Sequence, residues 1–139
     1  MTTTARPMAG HRIVSIEKGK VRVGDERFPL ISGEVHYWRL DPANWRAILQ
    51  RTRAMGLSIV ATYVCWDYHE LEPGRFDFHG ETDPHRDLVG FLELASEEDF
   101  WIILRPGPYI YSEWSNNGVP DYAARYHRLD PEFQKLAQP

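Results

Sequence analysis

The nine residues 58–66, SIVATYVCW, decide how the rest of the chain is read. They are rich in β-branched and aromatic side chains, and they are apolar on both alternating sets. A half-buried strand shows one apolar and one polar face, whereas a strand covered on both sides of a parallel sheet reads as a continuous apolar run. A second such run, FWIIL at 100–104, follows after an intervening helix pattern. Upstream, RFPLISGEVHYW (27–38) is extended in character and interrupted by Gly33. Three strands separated by helices give a parallel α/β order.

The helices are marked by their caps. Asp41 suits an N-cap, and Pro42 suits the first helical position, where its missing N–H is not needed. Trp45, Ile48, Leu49, Thr52 and Met55 then recur on one face, and Gly56 is placed to end the helix. DYHELEPGRFDFHGET (67–82) reads as a long loop with a turn at Pro73–Gly74. A second helix opens at Asp83–Pro84, with Leu88, Phe91, Leu92 and Ala95 as its apolar stripe. A third Asp–Pro pair, Asp130–Pro131, opens one more. RIVSIEKGKVRVG (12–24) predicts a hairpin around Lys18–Gly19. Residues 1–12 read as a polar tail.

An open doubly wound sheet and a (β/α)8 barrel both satisfy this order. A barrel takes roughly 250 residues, and the 139 here supply about three βα units. A three-stranded parallel sheet also leaves strand edges unpaired. The chain is therefore expected to be the front of something longer, or a half that associates with itself or with another chain.

Composition narrows the partners. Twenty acidic against 16 basic residues leave a net charge of −4, which argues against a nucleic-acid partner, since that needs a basic footprint. MTTTARPMAG (1–10) has no apolar core of a secretory signal, and no apolar run is long enough to span a bilayer. The reading is a cytoplasmic protein with no membrane partner. Cys65 is the only cysteine; in its apolar run it reads as a small buried thiol before a catalytic one. Five Trp and seven Tyr furnish core, and planar platforms for the apolar faces of sugars.

Ligands of parallel α/β folds bind at the C-terminal ends of strands. That rule selects HYWR (36–39), YVCWDYHE (63–70) and RPGPYIYSEW (105–114). His36 and Tyr63 can each be structural or line a site. Neighbours on a strand end point in opposite directions, so of His69 and Glu70 one is expected to be structural. Asp67 reads as a loop brace or a ligand contact, and Arg105 as the neutraliser of a buried carboxylate at the rim. His79, Glu81, Asp83 and His85 alternate suggestively, but they lack a metal-ligand motif and Asp83 already serves as a cap. No Gly-rich phosphate loop and no GxSxG occurs.

In order, ISGEVHYWRLDPANW (31–45), GLSIVATYVCWDYHELEPGRFDF (56–78), DLVGFLELASEEDFWIILRPGPYIYSEW (87–114) and NNGVP (116–120) resemble the N-terminal part of the glycoside hydrolase family 35 β-galactosidases. The resemblance covers roughly residues 28–120 and implies an α/β fold, the first three βα units of a (β/α)8 barrel preceded by the N-terminal hairpin. Residues 13–139 are then the N-terminal portion of a catalytic domain. It further implies retaining hydrolysis of terminal β-linked galactose by two glutamates, with no metal or organic cofactor and a carbohydrate as partner. In the family the acid/base belongs to an Asn–Glu pair after the fourth strand, and the nucleophile lies near the end of the seventh. These 139 residues contain no Asn–Glu dipeptide, so no catalytic residue is assigned and the chain alone is expected to be inactive. The substrate-holding positions implied are Tyr63, Tyr111, Ser112 and Glu113, with Glu113 clamping sugar hydroxyls. Tyr111 is bulkier than the family's usual residue, and HELEPG and NNG depart from its common loops, so a related β-glycoside is also admitted. A non-catalytic sugar-binding module and a purely structural partial barrel are the alternatives.

Overall fold

The computed structural model describes residues 14–24, 26–27 and 31–138. The polar tail, Ile13, Asp25, Phe28–Leu30 and Pro139 lie outside the described residues. The chain divides into two compact units, residues 1–31 and 32–139.

The first unit is the expected hairpin with one more strand. β1 (Val14–Glu17) pairs antiparallel with β2 (Lys20–Val23), Val14 opposite Val23 and Glu17 opposite Lys20. Lys18 and Gly19 both have positive φ, 49° and 73°, the conformation a two-residue turn needs to match the strand twist. β3 (Glu26–Arg27) adds to the other edge of β2.

In the second unit the parallel sheet runs in sequence order. β4 (Gly33–Glu34) pairs with β5 (Ile59–Val64), reached through α1 (Trp45–Ala54). Asp41 accepts from the Ala43 N–H at 3.0 Å, but what it caps is a 3-10 turn, Pro42–Asn44, that leads into α1. Trp45, Leu49 and Thr52 are buried. Met55 is not on that face: it falls one residue beyond α1 and stands 71% exposed. Gly56 ends the helix with φ +88°.

The stretch read as a long loop contains structure of its own. α2 (Trp66–His69) is one turn, and β6 (Glu70–Glu72) with β7 (Arg75–Phe76) forms a second hairpin around the Pro73–Gly74 turn. Asp83 again caps a 3-10 turn, Pro84–Arg86. The α-helix α3 (Leu88–Glu97) is capped by Asp87, which accepts from the Gly90 N–H at 2.8 Å. β8 (Trp101–Pro106) then joins β5 in register, Ile59 opposite Trp101 through Val64 opposite Pro106. α4 (Asp121–Ala124) and α5 (Pro131–Leu136) close the chain, and Asp130 caps α5 by accepting from the Glu132 N–H at 2.9 Å.

α1 and α3 lie against the sheet and against each other. Leu49, Val60, Phe91 and Ala95 share a core with Tyr37, Trp45 and Phe100. Arg46 bridges from α1 to Glu97 and Glu98 at the end of α3, and Arg53 reaches Asp99. Ile59 to Thr62 are buried, as the double-sided apolar run predicts. β8 has one strand neighbour among the described residues, and its Ile103 and Leu104 stay 44% and 41% exposed. Among the described residues no helix is long and apolar enough to cross a membrane.

Candidate functional site

The three segments selected by the strand-end rule meet in one continuous stack. After β4 the chain turns through the 3-10 segment Tyr37–Arg39. The His36 ring lies against Trp38, centroids 5.1 Å apart and planes 10° off parallel, and on its other side against Tyr63 of β5 at 5.3 Å. The Arg105 guanidinium, opposite Tyr63 in register, sits 3.8 Å above the Tyr63 ring. At the other end, Trp38 meets Trp114 edge-on at 5.3 Å. Indole, indole, imidazole, phenol and guanidinium thus run across the ends of three strands. Each contact adds packing and electrostatic stabilisation of about 0.5–1.5 kcal/mol beyond its buried area.

Charges hold this stack in place. Glu34 pairs with Arg105 and faces His36 Nε2 at 3.5 Å. Arg105 was expected to neutralise a buried carboxylate; its partner is instead about half exposed, because Glu34 lies on an edge strand. Arg39 Nη2 donates to the Glu113 carbonyl at 2.8 Å, tying the segment after β4 to the loop after β8. Asp67 braces that loop, accepting from Trp114 Nε1 at 2.7 Å. Burial holds the His36 pKa below the usual imidazole value; the nearby Arg39 charge pushes the same way and the Glu113 carboxylate opposes it.

One property separates this rim from its surroundings. Among the described residues, the buried side-chain nitrogens and oxygens with no hydrogen-bond partner are His36 Nδ1, Trp38 Nε1, Arg105 Nε and Glu113 Oε2. All four belong to the strand-end segments. A buried polar atom left unbonded costs about 1–3 kcal/mol, and folded proteins satisfy nearly all of them. Three of these atoms belong to the stack and the fourth, Glu113 Oε2, to the loop after β8 that Arg39 ties to it.

Of the other expected site residues, Tyr63 is in the stack. Tyr111 opens the turn Tyr111–Glu113 with φ +61° and is 66% exposed. Ser112 is the middle residue of that turn, and its side chain lies outside the described part. Tyr109 turns away and packs on Phe133 at 5.8 Å.

One of His69 and Glu70 is expected to be structural; in the fold both are, because each is held by its own set of hydrogen bonds. His69 is fully buried: its Nδ1 donates to the Asp77 carbonyl at 2.6 Å, which leaves Nε2 to accept from the Tyr37 hydroxyl. The Glu70 carboxylate accepts from Trp66 Nε1, the Tyr122 hydroxyl and the Gly74 N–H, each at 2.7 Å. Cys65 is buried and its thiol is pushed up to about 11 by desolvation, so it stays protonated near neutral pH. Asp83 accepts from both the backbone N–H and Nδ1 of His85, and among the described residues no three His, Cys, Asp or Glu side chains are grouped to hold a metal ion. A cleft of about 890 Å³ is bordered by Trp66, Glu70, Phe76, Pro108 and Tyr122. Its lining is mostly apolar and its one carboxylate is already saturated, so the rim is the better candidate. The sequence marked HYWR as a rim segment but did not reveal that His36, Trp38 and Arg105 keep unbonded atoms.

The chain matches Glycosyl hydrolases family 35 over residues 20–133. It is 46% identical over 103 residues to an exo-β-D-glucosaminidase of Pyrococcus horikoshii, a match covering 74% of this chain and 13% of that protein. It is 43% identical over 93 residues to a β-galactosidase of Bos taurus, covering 67% of this chain and 14% of that protein. The chain therefore spans about one seventh of the length of these relatives. In fold it is similar to an exo-β-1,4-mannosidase of Opitutaceae bacterium strain TAV5, with a TM-score of 0.64, 14% identity, and coverage of 94% of this chain and 23% of that one.

Proposed function

The chain belongs to glycosyl hydrolase family 35, and from that premise we propose that its strand-end rim forms one wall of the subsite for a terminal β-glycosyl residue. The observation that carries this is Glu113: its Oε2 is buried without a partner, on the loop where the family resemblance locates a sugar clamp. A carboxylate oxygen in a partly dry pocket makes strong, charge-assisted bonds to hydroxyls. Tyr63 supplies a flat apolar face, and Tyr111 and Ser112 complete the loop edge.

In this reading residues 32–138 are the first three βα units of a (β/α)8 barrel, and the open side of β8 with exposed Ile103 and Leu104 is where a fourth strand continues the sheet. Retaining hydrolysis then needs two further carboxyl groups about 5–5.5 Å apart, one protonating the leaving oxygen and one attacking the anomeric carbon. The 139 residues contain no Asn–Glu pair, so they hold the sugar and do not cleave it.

Galactose is the first substrate assignment. A 2-amino-2-deoxyglucoside is the second, favoured by the 46% identity to an exo-β-D-glucosaminidase against 43% to a β-galactosidase. Titration of the purified chain with methyl β-D-galactoside and methyl β-D-glucosaminide tests both. Saturable binding that Glu113→Ala abolishes is expected, together with no release of aryl alcohol from aryl β-glycosides. Turnover by the chain alone, or binding indifferent to Glu113, overturns the reading.

A further inference from the structure

We infer that His36 is a further sugar contact, its Nδ1 accepting a hydrogen bond from a ligand hydroxyl next to the one that Glu113 holds. The inference rests on the rim being the glycosyl subsite and extends it to a residue outside the clamp loop. Three observations lead there. His36 Nδ1 is buried and unpartnered, as is Glu113 Oε2. The imidazole is clamped between Trp38 and Tyr63, so it cannot swing away to find a partner in water. The segment bearing it is bonded directly to the Glu113 backbone through Arg39, and the Glu113 carboxylate acts on His36 electrostatically.

The ring's proton location follows from its other nitrogen. Nε2 faces the Glu34 carboxylate at 3.5 Å, which favours the proton on Nε2 and leaves Nδ1 as an acceptor. The unpartnered set then comprises two acceptors, His36 Nδ1 and Glu113 Oε2, and two donors, Trp38 Nε1 and Arg105 Nε. A vicinal diol presents two O–H donors, and each of its oxygens also accepts. The two acceptors suit the two O–H donors of a diol, and burial of the ring favours its neutral form, so that the acceptor is available.

The test compares His36→Phe, His36→Asn and His36→Gln by titration with methyl β-D-galactoside, with thermal melts as the folding control. Phe keeps the stack on Trp38 and Tyr63 but has no nitrogen; the Asn side-chain oxygen can occupy the Nδ1 position, whereas Gln reaches the Nε2 position. Phe and Gln are expected to weaken binding about 5–10-fold, the loss of one hydrogen bond, and Asn to retain most of it. In the unaltered chain, added galactoside is expected to shift the His36 Nδ1 resonance in nitrogen NMR and leave His69 unmoved. If the unaltered chain binds and His36→Phe binds equally well, or if the Nδ1 resonance does not move at saturation, His36 is not a contact. If the unaltered chain binds neither glycoside, the subsite reading itself fails and takes this inference with it. Should His36→Phe not fold, the Asn and Gln pair and the resonance shift decide.

Discussion

Two regions of this molecule treat their buried polar atoms in opposite ways. Around the β6–β7 hairpin every such group is bonded. Asp77 is 3% exposed and accepts from the N–H groups of His79, Glu81 and Thr82 and from the Thr82 hydroxyl. His69 bridges Tyr37 and Asp77, and Glu70 accepts three bonds. At the rim, Glu113, His36, Trp38 and Arg105 each keep a buried atom unbonded. Saturated polar groups lock a loop into one conformation, while unsatisfied ones hold unspent bonding capacity for a ligand. The difference separates carboxylates whose oxygens are bonded from one with an oxygen left unbonded, which burial alone does not.

The comparison can be broken at its strongest point first. Asp77→Ala removes four bonds and leaves three backbone donors without their acceptor, so it should destabilise the chain by about 3 kcal/mol or more in urea unfolding. Glu113→Ala removes an unbonded buried oxygen and should leave stability unchanged or raise it by up to about 1–3 kcal/mol, yet weaken glycoside binding at least tenfold, at about 1.4 kcal/mol per tenfold. If the two substitutions behave alike, the division between the regions is wrong.

Acid separates the regions more gently. Burial holds the His69 pKa below the ordinary 6.5, so the unfolded chain binds a proton before the folded one does. The stability this group confers is complete above pH 6.5 and shrinks as pH falls below it. The Asp77 carboxyl lies well below the ordinary 3.8, held down by its bonds from Thr82, Glu81 and His79 against the opposing effect of burial, and its contribution is lost as pH falls below 3.8. Thermal melts should therefore be nearly flat around neutrality and fall below pH 6.5, then again below pH 3.8. His36, lowered in the same direction, adds to the first step, and His69→Gln should reduce it. A flat profile between pH 7 and pH 5 would remove the neutral buried histidines from the account.

The smallest effect belongs to the hairpin's outer surface. Arg75 meets Glu72 at 3.2 Å with both side chains more than half exposed, where solvent screens the pair. Glu72→Gln should cost less than about 0.5 kcal/mol. A larger loss would mean that exposure is not what divides strong from weak polar contacts here.

Much of the architecture was legible because its signals are local. The double-sided apolar run at 58–66, the apolar run at 100–104 and the Gly56 stop each act within a few residues. The Asp–Pro caps were also found, but at Asp41 and Asp83 they open 3-10 turns, and Asp87 caps the longer helix that follows. The hairpin at 70–76 leaves no sequence signal because its strands are three and two residues long, too short to show alternation. Periodicity puts Met55 on the buried face of α1 but does not say where the helix stops, and α1 ends at Ala54. At the rim, motif and strand end select Tyr63 and the Glu113 loop, whereas for His69 and Glu70 strand alternation predicts one structural residue and only their partners show that both are.

By itself the sequence determined the parallel α/β order, the three strand-end segments and the resemblance to family 35, since each depends on residue type and spacing along the chain. Tertiary structure alone decided which polar atoms are satisfied. Tyr122 reaches Glu70 across 52 positions and Arg39 reaches the Glu113 carbonyl across 74, and such partners are set by how strands and helices pack. The distinction between a carboxylate whose oxygens are bonded, as in Glu70, and one with an oxygen left unbonded, as in Glu113, depends on packing between distant segments, and so it is visible only in the fold.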